Sequence, residues 1–255
     1  MSNETAMNFF GHLAELRRRL FRAFIGLLFG FAVAYYFSKE LFTLLRIPFD
    51  TAYQNVYGME PNLIVSSLLE SFMVYLKVGL LGGLFLSSPF IFLQVWGFIS
   101  PALKANEKKH VLPFVFFATL FFVFGALFGY FMVFPQSFEY FLNITKGEHI
   151  DTMIRMDEYY QFASWMLLGF GLAFEAPLIV LYLVFFRILS TRHLIRYWRG
   201  VIIGILIASA IITPTPDFAT MFMMAAPLLV LYGATIVVSL FIYRGNSRPV
   251  DETVE

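Results

Sequence analysis

Six long apolar stretches run through this chain, and in their interiors Lys77 and Glu175 are the only ionised side chains. They read as about Phe21–Phe37, Phe72–Ile99, Pro113–Phe134, Phe162–Phe186, Gly200–Ile212 and Phe218–Tyr243. Apolar runs of about 20 residues match the roughly 30 Å hydrocarbon core of a bilayer. The composition agrees: 59% of residues are hydrophobic, 19% aromatic and only 14% charged, against about 25% charged in a soluble domain. The expected fold class is an all-α polytopic membrane protein with six transmembrane helices. Its chemistry must then lie in the loops or at the rare polar groups inside the spans.

Several function classes fall away. The chain has no cysteine, so disulfides, thiolate nucleophiles and zinc–sulfur sites are excluded. The Walker phosphate loop, the zinc-protease His-Glu-x-x-His pair and the dinucleotide glycine fingerprint are absent. His12, His110, His149 and His193 all lie outside the spans, and no span carries a Ser/His pair or two aspartates. The chain is therefore not expected to be an enzyme, and no cofactor is implied. A net charge of +1 gives no reason to expect a nucleic-acid partner. Arg17 to Arg19 followed by Ala32-Val33-Ala34 resembles a cleavable signal. The apolar run continues through Phe37, so a retained anchor is expected.

Orientation follows from Lys and Arg in the short loops. One side holds Arg17, Arg18, Arg19, Arg22, Lys104, Lys108, Lys109, Arg187, Arg192, Arg196, Arg199, Arg244 and Arg248; the other holds only Lys39, Arg46, Lys146 and Arg155. The basic side is expected to be cytoplasmic, with both termini inside. Residues 1–255 then form one six-span domain. Residues 1–20 would be a cytoplasmic amphipathic helix and 244–255 a cytoplasmic tail. In the outer loop Ser38–Ser71, the residues Leu63, Ile64, Leu68 and Leu69 suggest a helix lying on the membrane surface. Pro135–Gln161 is acidic and expected to be helical in part. The last outer loop, Thr213-Pro214-Thr215-Pro216-Asp217, is a stiff turn that makes spans five and six antiparallel neighbours. Pro89, Pro113, Pro135, Pro177 and Pro227 each free a carbonyl that a neighbouring helix or polar side chain must satisfy.

Outside the tails only Glu15 and Glu107 are acidic on the basic side. Glu15 lies in Asn8–Leu20, an amphipathic pattern with Leu13, Leu16 and Leu20 on one face. One reading makes it the partner of Arg18 or Arg19 at helical spacing, worth a few tenths of a kcal/mol. Glu107 would then be a solvated acid beside Lys108 and Lys109. The other reading makes both residues anionic seats for a cationic ligand. A carboxylate takes a guanidinium by two parallel hydrogen bonds, which selects arginine over lysine. Glu175 is a lone carboxyl amid apolar residues. It reads either as a neutral acid bonded to a neighbouring helix or as a functional group. Lys77 can snorkel outward on its long stem.

His12-Leu13-Ala14-Glu15-Leu16-Arg17-Arg18-Arg19-Leu20 resembles the opening of the TatC family, the multi-span subunit of the twin-arginine (Sec-independent) protein translocase. So do Ser88-Pro89-Phe90, then Gln94-Val95-Trp96-Gly97-Phe98-Ile99-Ser100-Pro101-Ala102-Leu103 and Glu107. Gly125, Phe128-Gly129-Tyr130, Phe134-Pro135, Glu175-Ala176-Pro177, the turn ending in Asp217, and Pro227 with Leu231-Tyr232 extend the likeness along nearly the whole chain. Two positions depart from it: Gly233 and Met221 stand where the family often has glutamate and glutamine.

The resemblance implies a glove-like curved scaffold in the bacterial cytoplasmic (inner) membrane. Such a scaffold binds twin-arginine signal peptides of folded precursors at its cytoplasmic face. It also recruits single-span subunits of the TatA and TatB type into an oligomeric complex driven by the proton-motive force. Carried onto this chain, Glu15 and Glu107 receive the arginine pair, bordered by Arg17 and Phe98 and flanked by Leu16 and Leu20. Pro48, Phe72 and Asp217 match other positions on which the family relies. Glu175, with Thr213, Thr215, Asp217 and Met221, is the expected partner-binding set. The rival reading is a secondary transporter of a small solute. It would require clustered polar residues at mid-membrane and an internal repeat, and the sequence has neither.

Overall fold

A computed structural model describes residues 2–99, 111–147, 154–186, 188–212 and 218–244. Among them all regular structure is helical, apart from an isolated bridge between Ile64 and Arg155. The chain divides into two compact units, Met1–Gly171 and Leu172–Glu255.

The first unit holds α1 (Ser2–Tyr36), α2 (Ser38–Tyr57), α3 (Leu68–Ile99) and α4 (Val111–Phe128). A π-helical turn, Gly129–Val133, carries α4 directly into α5 (Phe134–Gly147). The unit closes with the first half of α6 (Met156–Phe185). The amphipathic N-terminal segment and the first span are thus one continuous helix. Among the described residues, five helices are long and apolar enough to cross a membrane: Gly11–Tyr36, Leu68–Ile99, Val111–Lys146, Met156–Phe185 and Thr220–Phe241. The fifth apolar stretch forms a shorter helix.

The expected surface helix around Leu63 and Ile64 is not there. Its place is taken upstream by α2, which ends at Gly58 in the left-handed conformation (φ 72°). Only glycine adopts that geometry freely, which is why the helix stops there. Ile64 is extended instead, exchanging backbone bonds with Ile154 (3.0 Å) and Met156 (3.0 Å), while Leu68 and Leu69 already begin α3.

α1 and α3 touch backbone to backbone. A Cβ built on Gly30 would come within 2.6 Å of the Gly83 carbonyl oxygen, and one on Gly83 within 2.6 Å of Phe31 Cα. Gly26 and Gly30 recur at i,i+4 on α1, as do Gly79 and Gly83 on α3. Small residues at this spacing let membrane helices approach closely where lipid offers no hydrophobic drive for association.

At Pro48 and Pro89, side-chain hydroxyls satisfy the carbonyls that lack an N–H donor. Pro48 lies inside α2 and frees the carbonyl of Leu44. Tyr130, carried by the π-helical turn, donates its hydroxyl to that oxygen at 2.6 Å. Tyr159 donates to the adjacent Leu45 carbonyl. Pro89 frees the carbonyl of Phe85, and Ser88 Oγ donates to it at 2.7 Å. The π-helical turn immediately precedes Pro135, whose ring cannot continue an ordinary ladder, and Phe134 N–H reaches back five residues to Gly129. Around this turn Phe49, Phe134, Phe138 and Tyr159 form a buried aromatic cluster that joins α2, α5 and α6. Glu70, itself buried, accepts from the backbone N–H groups of Ser66 (2.6 Å) and Asp157 (3.2 Å) and so pins the starts of α3 and α6. These are donors at helix N-termini that have no intrahelical partner.

The second unit holds the rest of α6, then α7 (Thr191–Arg196), α8 (Trp198–Ile212) and α9 (Phe218–Arg244). Val184, Leu194 and Tyr232 form its core, with Val180, Leu189, Val201, Ile205 and Ile236 packed around them. Tyr232 donates its hydroxyl to the Leu194 carbonyl at 2.8 Å, tying α9 to α7. α8 packs against α9, as expected of spans five and six.

Candidate receptor site

The N-terminal half of α1 meets the C-terminal end of α3 at a polar seam. His12 stacks on Phe98 with ring centroids 4.3 Å apart. One turn further on, Arg19 donates from Nε and Nη2 to Glu15 Oε1 at 2.9 and 2.8 Å. The guanidinium lies against Gly97, where a Cβ would come within 1.9 Å of Arg19 Nη1. Glu15 and Arg19 are half-buried, whereas Arg17 and Arg18 are exposed.

At this seam Phe98 contacts His12, and Glu15 is paired with Arg19 beside Gly97. Arg17 is not part of that contact. It is two residues from Glu15, about 200° around the helix, and points elsewhere. Leu16 and Leu20 are exposed, at 41% and 68%, and flank the seam with an apolar surface. Glu107, Thr213, Thr215 and Asp217 lie outside the described residues. Sequence reasoning foresaw the Glu15–Arg19 spacing but missed His12 and Gly97, whose contacts arise only where two helices cross.

The other candidates are dispersed. Pro48 is buried within α2, and Phe72, half exposed, sits in the second turn of α3. Met221 is half-buried in the first turn of α9. Gly233 faces open space, so a side chain there would meet nothing. Glu175 is buried to 7% exposure, and its Oε1 atom has no hydrogen-bond partner among the described residues.

No described group of three or more His, Cys, Asp or Glu could hold a metal ion. A cleft of about 580 Å³ in the first unit is lined by apolar side chains and Tyr130, whose hydroxyl already serves the Leu44 carbonyl. It offers no polar set for a small solute.

Residues 11–227 match the family model of the Sec-independent protein translocase protein, TatC. A TatC protein of Desulforapulum autotrophicum is 42% identical over 89% of this chain and 82% of its own length. One from Koribacter versatilis is 34% identical over 98% and 91%. A crystal structure of the twin arginine translocase receptor TatC superposes with a TM-score of 0.77. It is 33% identical in sequence and covers 91% of this chain and 100% of its own.

Proposed function

This chain belongs to the TatC family, and on that premise we propose that it is the receptor subunit of a twin-arginine translocase. The family is a component of protein transport and not an enzyme, and the chain is a multi-pass membrane protein. That identity displaces the small-solute transporter reading.

In the proposed arrangement six helices span the bacterial inner membrane, with both termini cytoplasmic. Glu15 and Glu107 receive the paired arginines of a precursor's signal peptide. Single-span subunits of the TatA and TatB type join through Glu175 and the α8–α9 end, and the oligomeric complex moves folded precursors with the proton-motive force. The excess of Lys and Arg on one set of loops supports the orientation. Arg196 over the Tyr197 ring (6.0 Å) and Arg199 over the Trp198 ring (5.5 Å) fit a membrane–water interface near the start of α8.

The observation that carries the receptor reading is the seam itself. A half-buried carboxylate already holds a guanidinium by two hydrogen bonds, beside an aromatic ring and two exposed leucines. A photocrosslinker at Leu16 or Leu20 should capture an Arg-Arg precursor and fail with its Lys-Lys version. Capture that ignores the arginine pair would remove the site from this face.

A further inference from the structure

The guanidinium that Glu15 holds is the chain's own. Arg19 reaches back one turn to the carboxylate and is sheltered by Gly97, with 23% of the Arg19 side chain and 20% of the Glu15 side chain still exposed. The bond is covered enough to form and open enough to exchange. We propose that Arg19 is a resident competitor. It occupies the Glu15 carboxylate in the ligand-free receptor, and a signal arginine takes the seat by displacing it. This rests on the reading of Glu15 as a receptor carboxylate.

Exchanging one guanidinium for another keeps the half-buried carboxylate paired before and after binding. The open carboxylate is the less populated state only by the modest margin of a partly exposed pair. The competitor also has a defined thermodynamic signature. Only receptors whose Glu15 is momentarily free can bind, so apparent affinity falls by that fraction. The fraction is a property of the receptor and is the same for every ligand. Arg19 therefore sets affinity, while the ratio between Arg-Arg and Lys-Lys signals stays with the geometry of the carboxylate. Gly97 is the companion requirement, because a Cβ there would meet Arg19 Nη1 at 1.9 Å and the guanidinium would have to shift.

The test is binding of a fluorescent Arg-Arg signal peptide to the full chain in lipid nanodiscs, with a Lys-Lys peptide in parallel. A partly exposed pair is closed only a few times more often than it is open, so Arg19→Gln should tighten both peptides about three- to sixfold. Gly97→Ala keeps every charge and forces the guanidinium to shift, so it should tighten binding in the same direction. Arg18→Gln removes an equal charge from an exposed neighbour and should not reproduce the gain. Weaker or unchanged binding in Arg19→Gln overturns the proposal, as does an equal gain in Arg18→Gln. Glu15→Gln separates the two readings. If it binds like the unaltered chain, the receptor assignment of Glu15 falls. If it weakens binding while Arg19→Gln and Gly97→Ala fail to tighten it, only the competitor falls.

Discussion

Losing a carboxylate from a charge-assisted bidentate pair costs about 1.5–3 kcal/mol, or roughly ten- to a hundredfold in affinity. Glu15→Gln and Glu107→Gln should each weaken peptide binding by that order while the protein still inserts and folds. Equilibrium binding in nanodiscs measures it, and unaltered affinity in the double variant would dismiss both seats. Glu175 makes a different prediction. Its Oε1 atom is buried without a described partner, and an interhelical hydrogen bond in lipid is worth about 0.6–2 kcal/mol. If that bond is kept for a single-span subunit, Glu175→Ala should reduce co-purification of the subunit and transport while leaving signal binding nearly intact. Loss of signal binding with subunits retained would move Glu175 into the receptor site.

Helix pairs carry the next level. At the α1–α3 crossing, Gly83→Ala places a methyl group against the Phe31 backbone. Overpacking of this kind costs about 1–3 kcal/mol, read as a lower thermal midpoint in detergent. Gly204→Ala meets nothing and should be neutral or stabilising, because alanine favours helix by up to about 1 kcal/mol over glycine. Equal behaviour of the two variants would show that the crossing is not close-packed. α8 is limited by its length rather than its packing. Its 15 residues give a rod of about 22 Å, shorter than a hydrocarbon core of about 30 Å. A bilayer that thins to meet it would ease passage of a large folded precursor. Adding four leucines to α8 should impair transport and spare signal binding, and full transport in that variant would dismiss the idea.

For the whole molecule, the prediction concerns topology. With six spans and the basic loops inside, a reporter active only outside the membrane should stay silent when fused after Arg248. Strong activity there would require an odd number of crossings or the inverted orientation. The short α8 is the helix on which this count turns, since five others among the described residues meet the length for a span without it.

The apolar runs, their flanking charges and the prolines were legible as local pattern, because bilayer thickness and backbone satisfaction act on each segment separately. They determined the helical class, the multi-span architecture and the family likeness, and helical spacing offered Arg18 or Arg19 as the partner of Glu15, of which the structure pairs Arg19. α2 was not legible. It is mixed in polarity and contains Pro48, and its stability comes from Tyr130 and Tyr159 on distant segments that satisfy the carbonyls around that proline. The same holds for the approach of Gly30 to Gly83 and for the stacking of His12 on Phe98. Each depends on how one helix crosses another, and residues dozens of positions apart in the chain leave no periodic trace of that crossing.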